Sequence, residues 1–215
     1  VNPQGTDRVA GREANVLALL GERFEAWQRE GFIPSRALPE GGDKTEEPIR
    51  NRGWTHWHHL FTPRQLLTHG LLAELAFQRA GSKAAKVGCL LGLGRMANWN
   101  SRLCRWRPDP AGEGVLDVFS NQALNTLYNY GNRGFTKLDT AWFVNFQEAV
   151  IASNVSKVMY LDARDLEETC DFWITDPPYA DAINYHELGD FFLCWYSGQL
   201  IKSFPEWTPD ARAEL

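Results

Sequence analysis

The stretch "DFWITDPPYADAINYHELGDFF" runs from Asp171 to Phe192. Its opening, Phe172 to Thr175, is apolar, aromatic and β-branched, the composition of a short buried strand. The run then stops on Asp176-Pro177-Pro178-Tyr179. Both prolines have a fixed φ and no N–H, and a residue that precedes proline is driven to extended geometry. Asp176 and Pro177 are therefore both held extended, and the turn is stiff. It offers a carboxylate and neighbouring backbone carbonyls, which are acceptors without competing donors, and Tyr179 adds a flat ring. Such a set suits an amino group on a planar base.

Just upstream, "KVMYLDARDL" predicts another strand, Val158 to Leu161, with Asp162 at its carboxyl end. Short apolar strands that each end in Asp predict an open α/β sheet. Ligands of such sheets bind beyond the carboxyl ends of the strands, where Asp162 and Asp176 would sit. The chemistry that fits is methyl transfer to an exocyclic amine. The lone pair of that nitrogen is delocalised into the ring, so acceptors for both N–H groups favour a pyramidal nitrogen and stabilise its developing positive charge. A base within a duplex must be flipped out to be reached, and an aromatic ring then holds it.

Asp176-Pro177-Pro178-Tyr179 resembles the catalytic motif of amino-methyltransferases that use S-adenosylmethionine, and Asp in first place resembles the adenine-N6 type. "GWTHWHHLFTPRQLL" (Gly53 to Leu67) together with "TDPPYADAINYHELGDFFLCWY" (Thr175 to Tyr196) is similar to large bacterial adenine-specific DNA methylases, often linked to restriction-modification and phage defence. The resemblance runs through most of residues 14–207. It implies that Asp176 and the Pro177 carbonyl accept from the target amine, with Pro178 stiffening the turn and Tyr179 stacking on the base. It also implies that Asp162 and Asp176 lie beside the cofactor and that defence proteins are possible partners.

Such enzymes also need a glycine loop resembling "DPFxGxG" for the cofactor. "VLDVFSNQ" (Val115 to Gln122) starts with suitable residues but lacks the glycines, without which the backbone cannot approach closely. "GCLLGLGR" contains Gly88, Gly92 and Gly94, but lies in a helical pattern and follows no strand. These glycines read as close helix packing. The expectation is that this chain is a central fragment of a larger methylase, with the catalytic motif but without the full cofactor site.

The remaining sequence predicts helices. Val16, Leu19, Leu20, Phe24 and Trp27 have helical spacing, with Gly31 as a stop. Residues 34–53, rich in Pro, Gly and charge, read as an exposed linker. Thr62-Pro63-Arg64-Gln65 is a helix start with a capping box. The helix that follows ends at Gly81, and a second helix over about 82–104 completes a helical hairpin. A further helix is predicted over 140–153, and Phe191, Phe192, Trp195 and Tyr196 belong to a helix core. The fold class is thus α/β, a partial Rossmann-like methyltransferase sheet with an all-helical segment before it. Residues 1–53 form an N-terminal helix and linker, 54–110 the hairpin, and 111–215 the methyltransferase part.

The chain has 215 residues and a formal net charge of -5, so nucleic acid would have to be held by a local basic surface rather than by overall charge. Arg95, Arg102, Arg105 and Arg107 form the densest basic stretch, with Trp99 and Trp106 among them. Arg102 and Arg105 are candidates for gripping phosphates, and a solvated helix face is the alternative. Tyr185 is a candidate for the target pocket. Asp190 is either functional or engaged in a cap or salt bridge. "THWHH" clusters His56, His58 and His59, but adjacent histidines point apart and no cysteine or acid accompanies them, so no metal is expected. Cys89, Cys104, Cys170 and Cys194 are too far apart in sequence for a zinc half-site and suit reduced thiols of a cytoplasmic protein. No apolar run is long enough for a membrane span.

Three functions follow from these residues. The first is S-adenosylmethionine-dependent methylation of adenine N6 in DNA by the parent protein. A second keeps the chemistry but acts on an RNA base. A third is a DNA-binding or assembly module that is inactive alone.

Overall fold

Two glycines punctuate the first helical stretch. The computed structural model describes residues 3–107, 114–120, 122–127, 142, 159, 161–177 and 183–207. Where the spacing predicts one helix there are two, α1 (Pro3–Gly21) and α2 (Phe24–Glu30), broken just after Gly21, a residue of low helix propensity. Leu20 and Trp27 reach the core, whereas Leu19 stays exposed. Gly31 ends α2 as expected, in the left-handed conformation at φ 78°.

Residues 34–53 are not the exposed linker that their composition predicts. Ala37 bridges to His56, and Leu38 donates its N–H to the Thr55 carbonyl at 2.9 Å. A short helix, α3 (Glu46–Arg52), follows and is closed by Gly53 at φ 67°. Leu38, Thr45 and Pro48 are buried.

The helical hairpin forms as predicted. In α4 (Pro63–Arg79), the Thr62 hydroxyl accepts from the Gln65 N–H at 3.2 Å, and the Gln65 side chain accepts from the Thr62 N–H at 2.8 Å. The second helix, α5 (Lys83–Trp99), starts from a Ser82 cap and stops earlier than expected. Ser101 to Cys104 form a turn instead, in which the Ser101 hydroxyl accepts from the Leu103 N–H. Two short antiparallel ladders come next. β1 (Trp106–Arg107) pairs with β2 (Gly114–Val115), and β3 (Phe119–Ser120) with β4 (Ala123–Leu124). "VLDVFSNQ" thus runs from β2 through β3, with Asn121 outside the described residues.

The last long helix, α6 (Tyr185–Ser203), occupies the centre. Phe191 and Trp195 are buried, and Phe192 and Tyr196 pack against them at the margin. Trp195 meets Phe61 edge-on at 4.9 Å and His69 at 5.3 Å, while Phe191 meets Trp57 and Phe119. A single hydrophobic cluster runs from Leu20 to Phe204 and draws on residues 1–53, 54–110 and 111–215 alike. α6 crosses the end of α2 where both helices carry glycine. A Cβ on Gly31 would lie 2.7 Å from the Gly198 Cα. The Gln199 amide and the Lys202 ammonium then donate to the Glu30 carbonyl at 2.7 and 2.9 Å, satisfying an acceptor at the end of α2.

A Rossmann-like sheet does not occur among the described residues, which are mostly helical with small antiparallel ladders. Among the described residues Phe172 to Thr175 has no ladder partner, and every residue from Asp171 to Pro177 is exposed, Ile174 by 97%. An apolar strand of this kind is held by neighbours on both edges and both faces, and the described elements supply none. In the strand expected at Val158 to Leu161, Met159 and Leu161 are exposed and outside any strand, while Val158 and Tyr160 lie outside the described residues. Of the helix expected over 140–153, only Trp142 is described, and it is helical.

Glu187, buried in the first turn of α6, holds the 40s loop. Its carboxylate accepts from the Lys44 N–H at 3.0 and 3.1 Å, from the Thr45 N–H at 3.3 Å and from the Thr45 hydroxyl at 3.1 Å. A Cβ on Gly42 would collide with this carboxylate and with Thr45, so the loop needs glycine there. Glu187→Ala leaves buried backbone donors without acceptors and should lower unfolding free energy by about 2–4 kcal/mol. Glu187→Gln, which keeps an acceptor oxygen, should lose less. Urea denaturation of the three proteins measures both.

His69 is fully buried against Phe61 and Trp195, and its Nε2 lies 3.0 Å from the Asn100 carbonyl. Burial lowers its pKa to about 4, against the smaller opposing effect of that carbonyl. The folded pKa lies below the ordinary histidine value, so the unfolded chain takes up the proton first. Stability is therefore complete above about pH 6.5 and falls as pH drops toward 4. Between pH 7 and pH 5 this one histidine should account for about 2 kcal/mol. Urea midpoints at the two pH values check this, and His69→Phe should shrink the difference between them.

Candidate functional site

The stiff turn begins in solvent. Asp176 and Pro177 are exposed at the end of the extended run, and Pro178 and Tyr179 lie outside the described residues. Among the described residues Asp176 has no hydrogen-bond or ion-pair partner, and it is exposed. The downstream side is firmly tied, since α6 starts at Tyr185 and Glu187 locks its first turn to the 40s loop.

Asp162 is engaged elsewhere. It caps the 3-10 turn Ala163–Asp165, accepting from the Arg164 N–H at 2.9 Å, and its carboxylate pairs with the Arg164 guanidinium at 2.7 Å. These bonds lower its pKa below the usual aspartate value. Both carboxylate oxygens are thus occupied by a neighbour two residues away. No hydrogen bond or ion pair joins Asp162, Asp176 and Tyr185 among the described residues. Tyr185 is half-exposed at the start of α6, and Asp190 forms a salt bridge with Arg36 at 3.7 Å.

The basic stretch divides. Arg105 pairs with Asp117 at 2.9 Å, and Arg95 lies over the Trp99 ring at 4.5 Å. Arg102 turns to a different place. Its N–H donates to the Leu60 carbonyl at 2.8 Å, and its guanidinium lies over Trp54 at 5.3 Å, as does that of Arg52. Arg102 lines a pocket of about 350 Å³ with Trp54, His58, His59, Phe61 and neighbouring apolar side chains. The sequence signals each of these residues, but not that they meet. Their convergence depends on α3, the 3-10 turn Trp57–Leu60 and the turn after α5.

Contrary to the expectation that adjacent histidines point apart, the three rings cluster, with the His58 and His59 centroids 4.3 Å apart and that of His56 at 5.3 and 5.7 Å from them. His59 Nδ1 accepts from the Thr55 N–H at 3.1 Å, His56 Nδ1 lies 2.9 Å from the Thr55 hydroxyl, and His58 Nδ1 lies 3.4 Å from the Gln28 amide nitrogen. Burial and the neighbouring histidines lower the His58 pKa to about 4, so it is neutral at pH 7. Burial, His56 and Arg102 lower that of His59. No group of three His, Cys, Asp or Glu side chains suited to a metal occurs among the described residues.

Nor do the described glycines form a cofactor loop. Gly92 packs against Trp142 and Gly94 against Tyr196 of α6, the close packing that their pattern predicts, whereas Gly88 faces open space. With Asp162 bound to Arg164 and no glycine loop in place, the described residues do not fit S-adenosylmethionine. No helix of the described residues is long and apolar enough to cross a membrane. No family model matches the chain, and no curated protein or solved structure does so either.

Proposed function

We propose that this chain carries the amine-handling part of an adenine-N6 DNA methyltransferase. The observation that supports this reading is the sequence Asp176-Pro177-Pro178-Tyr179 placed directly after an apolar extended run, with Asp176 exposed. In this reading Asp176 and the Pro177 carbonyl accept the two N–H groups of a flipped adenine, and Tyr179 stacks on the ring. Acceptors fixed in advance favour the pyramidal, positively charged nitrogen over the flat ground state. S-adenosylmethionine would supply the methyl group, held by residues other than those described. Phosphate contacts would come from the basic stretch of Arg102 and Arg105, and defence proteins could join the assembly.

The exposed run favours a second reading, a module inactive on its own. Phe172, Trp173 and Ile174 are exposed by 86%, 57% and 97% on both sides of one extended segment. That pattern suits insertion between two strands of a sheet supplied by another part of the protein or by a partner. The catalytic turn would then take its place only in the assembled enzyme.

The decisive experiment incubates the complete polypeptide containing this chain with unmethylated duplex DNA and S-adenosylmethionine, and detects N6-methyladenine by mass after digestion. Asp176→Ala should reduce methylation by roughly 100-fold or more. Because Asp176 is exposed, the unfolding free energy should change by no more than about 0.5 kcal/mol. Full activity in that variant overturns the assignment. Methylation of RNA alone would redirect the substrate, and DNA binding without methylation would favour the binding module.

A further inference from the structure

His59 holds a position that only its neutral ring can keep. Its Nδ1 accepts the N–H groups of Thr55 at 3.1 Å and of His56 at 3.4 Å, so the ring carries its one proton on Nε2. A second proton has to go onto Nδ1, and a protonated Nδ1 accepts nothing. The two backbone N–H groups would then face a donor. These bonds close the start of the 3-10 turn Trp57–Leu60, in which His59 is the third residue and His56 the cap.

The surroundings oppose a charge at the same place. On its own turn, His58 lies 4.3 Å from His59 and His56 lies 5.7 Å from it, between ring centroids. From the turn after α5, the positive charge of Arg102 acts on the ring. From α2 the cluster meets Phe24 and Gln28, which carry no charge. Among the described residues, no carboxylate lines the pocket that His58 and His59 share. A protonated His59 would therefore stand beside cationic and titratable groups of the same sign.

The backbone that His59 organises is also the tie that holds the segment before it. Buried Leu38 donates its N–H to the Thr55 carbonyl at 2.9 Å, Ala37 bridges to His56, and the Trp57 N–H donates to the Arg36 carbonyl at 3.1 Å. The same segment continues into the 40s loop that clasps Glu187.

We propose that His59 is an acid-released latch, in which protonation at Nδ1 expels the Thr55 and His56 N–H groups and frees residues 36–38 from residues 55–57. The closed form takes up this proton less readily than the open one. The latch is therefore shut at pH 7 and opens as the pH falls below about 6.5. It acts locally, whereas His69 acts on unfolding of the whole core. The inference does not rest on the methyltransferase reading, and each can fail without the other.

NMR and amide hydrogen exchange on the protein test it. At pH 7 the nitrogen shifts of the His59 ring should show a proton on Nε2 and none on Nδ1. The Leu38 amide reports the latch. The Leu66 amide, which donates to the Thr62 carbonyl at 2.9 Å, reports opening of the rest of the molecule. Between pH 7 and pH 5.5, the protection of Leu38 relative to Leu66 should fall several-fold, with roughly eightfold as the limit for a single proton. His59→Asn puts Oδ1 where Nδ1 was, keeps the acceptor and does not titrate in this range, so its ratio should stay constant. A proton found on Nδ1 at pH 7 overturns the inference. So does a wild-type ratio that does not change between the two pH values, or a His59→Asn protein that keeps the wild-type fall.

Discussion

A buried carboxylate that receives backbone N–H groups from a loop far away in sequence holds this structure together. Glu187 stands in the first turn of α6, where the helix N-terminus favours negative charge. Its acceptors are taken by Lys44 and Thr45, and Gly42 provides the room. This contact fixes the start of α6 and, through the 40s loop, the start of α3. Helix α3 ends at Gly53, next to Trp54, so the same constraint also reaches one wall of the Arg102 pocket.

Helix α6 can lie at the centre because small residues admit it. Gly198 meets Gly31, and Gly94 faces Tyr196, so neighbouring elements approach more closely than a Cβ would allow. The aromatic faces of Phe191 and Trp195 then reach Trp57, Phe61, His69 and Phe119. Edge-to-face contacts of this kind add to the burial of apolar area. The His69 ring belongs to this cluster and stays neutral within it, so part of the core is sensitive to acid.

Features set by neighbours in sequence were legible in it. The Thr62–Gln65 box, the Gly31 stop and the helical packing of Gly92 and Gly94 depend on local geometry or periodicity, and the sequence pattern carries both. Features set by distant partners were not. Residues 34–53 have the composition of a linker, yet they are ordered by a glutamate more than 140 residues away. Phe172 to Thr175 has the composition of a buried strand, but a strand exists only where another chain segment pairs with it, and composition cannot supply the neighbour. Of the candidate site, the sequence marks Asp176-Pro177-Pro178-Tyr179 itself, but not that Asp176 and Pro177 would end an exposed run. The capture of Asp162 by Arg164 and the turning of Arg102 toward Trp54 come from contacts that spacing alone does not specify.

The two sides of the Asp-Pro-Pro-Tyr turn are held in different ways, and this bears on how it could work. Downstream, Glu187 and the α6 core provide a fixed support. Upstream, the apolar run is exposed on both faces and makes no ladder among the described residues. Proline stiffness sets the relative geometry of Asp176 and the Pro177 carbonyl, but stiffness within a turn does not aim it at a substrate. Aim needs support on both sides, to within a fraction of an ångström for efficient chemistry. A sheet that received Phe172 to Thr175 would supply the missing support by covering the side chains that are now most exposed. Burial of apolar surface would then drive assembly, and the same step would orient the carboxylate.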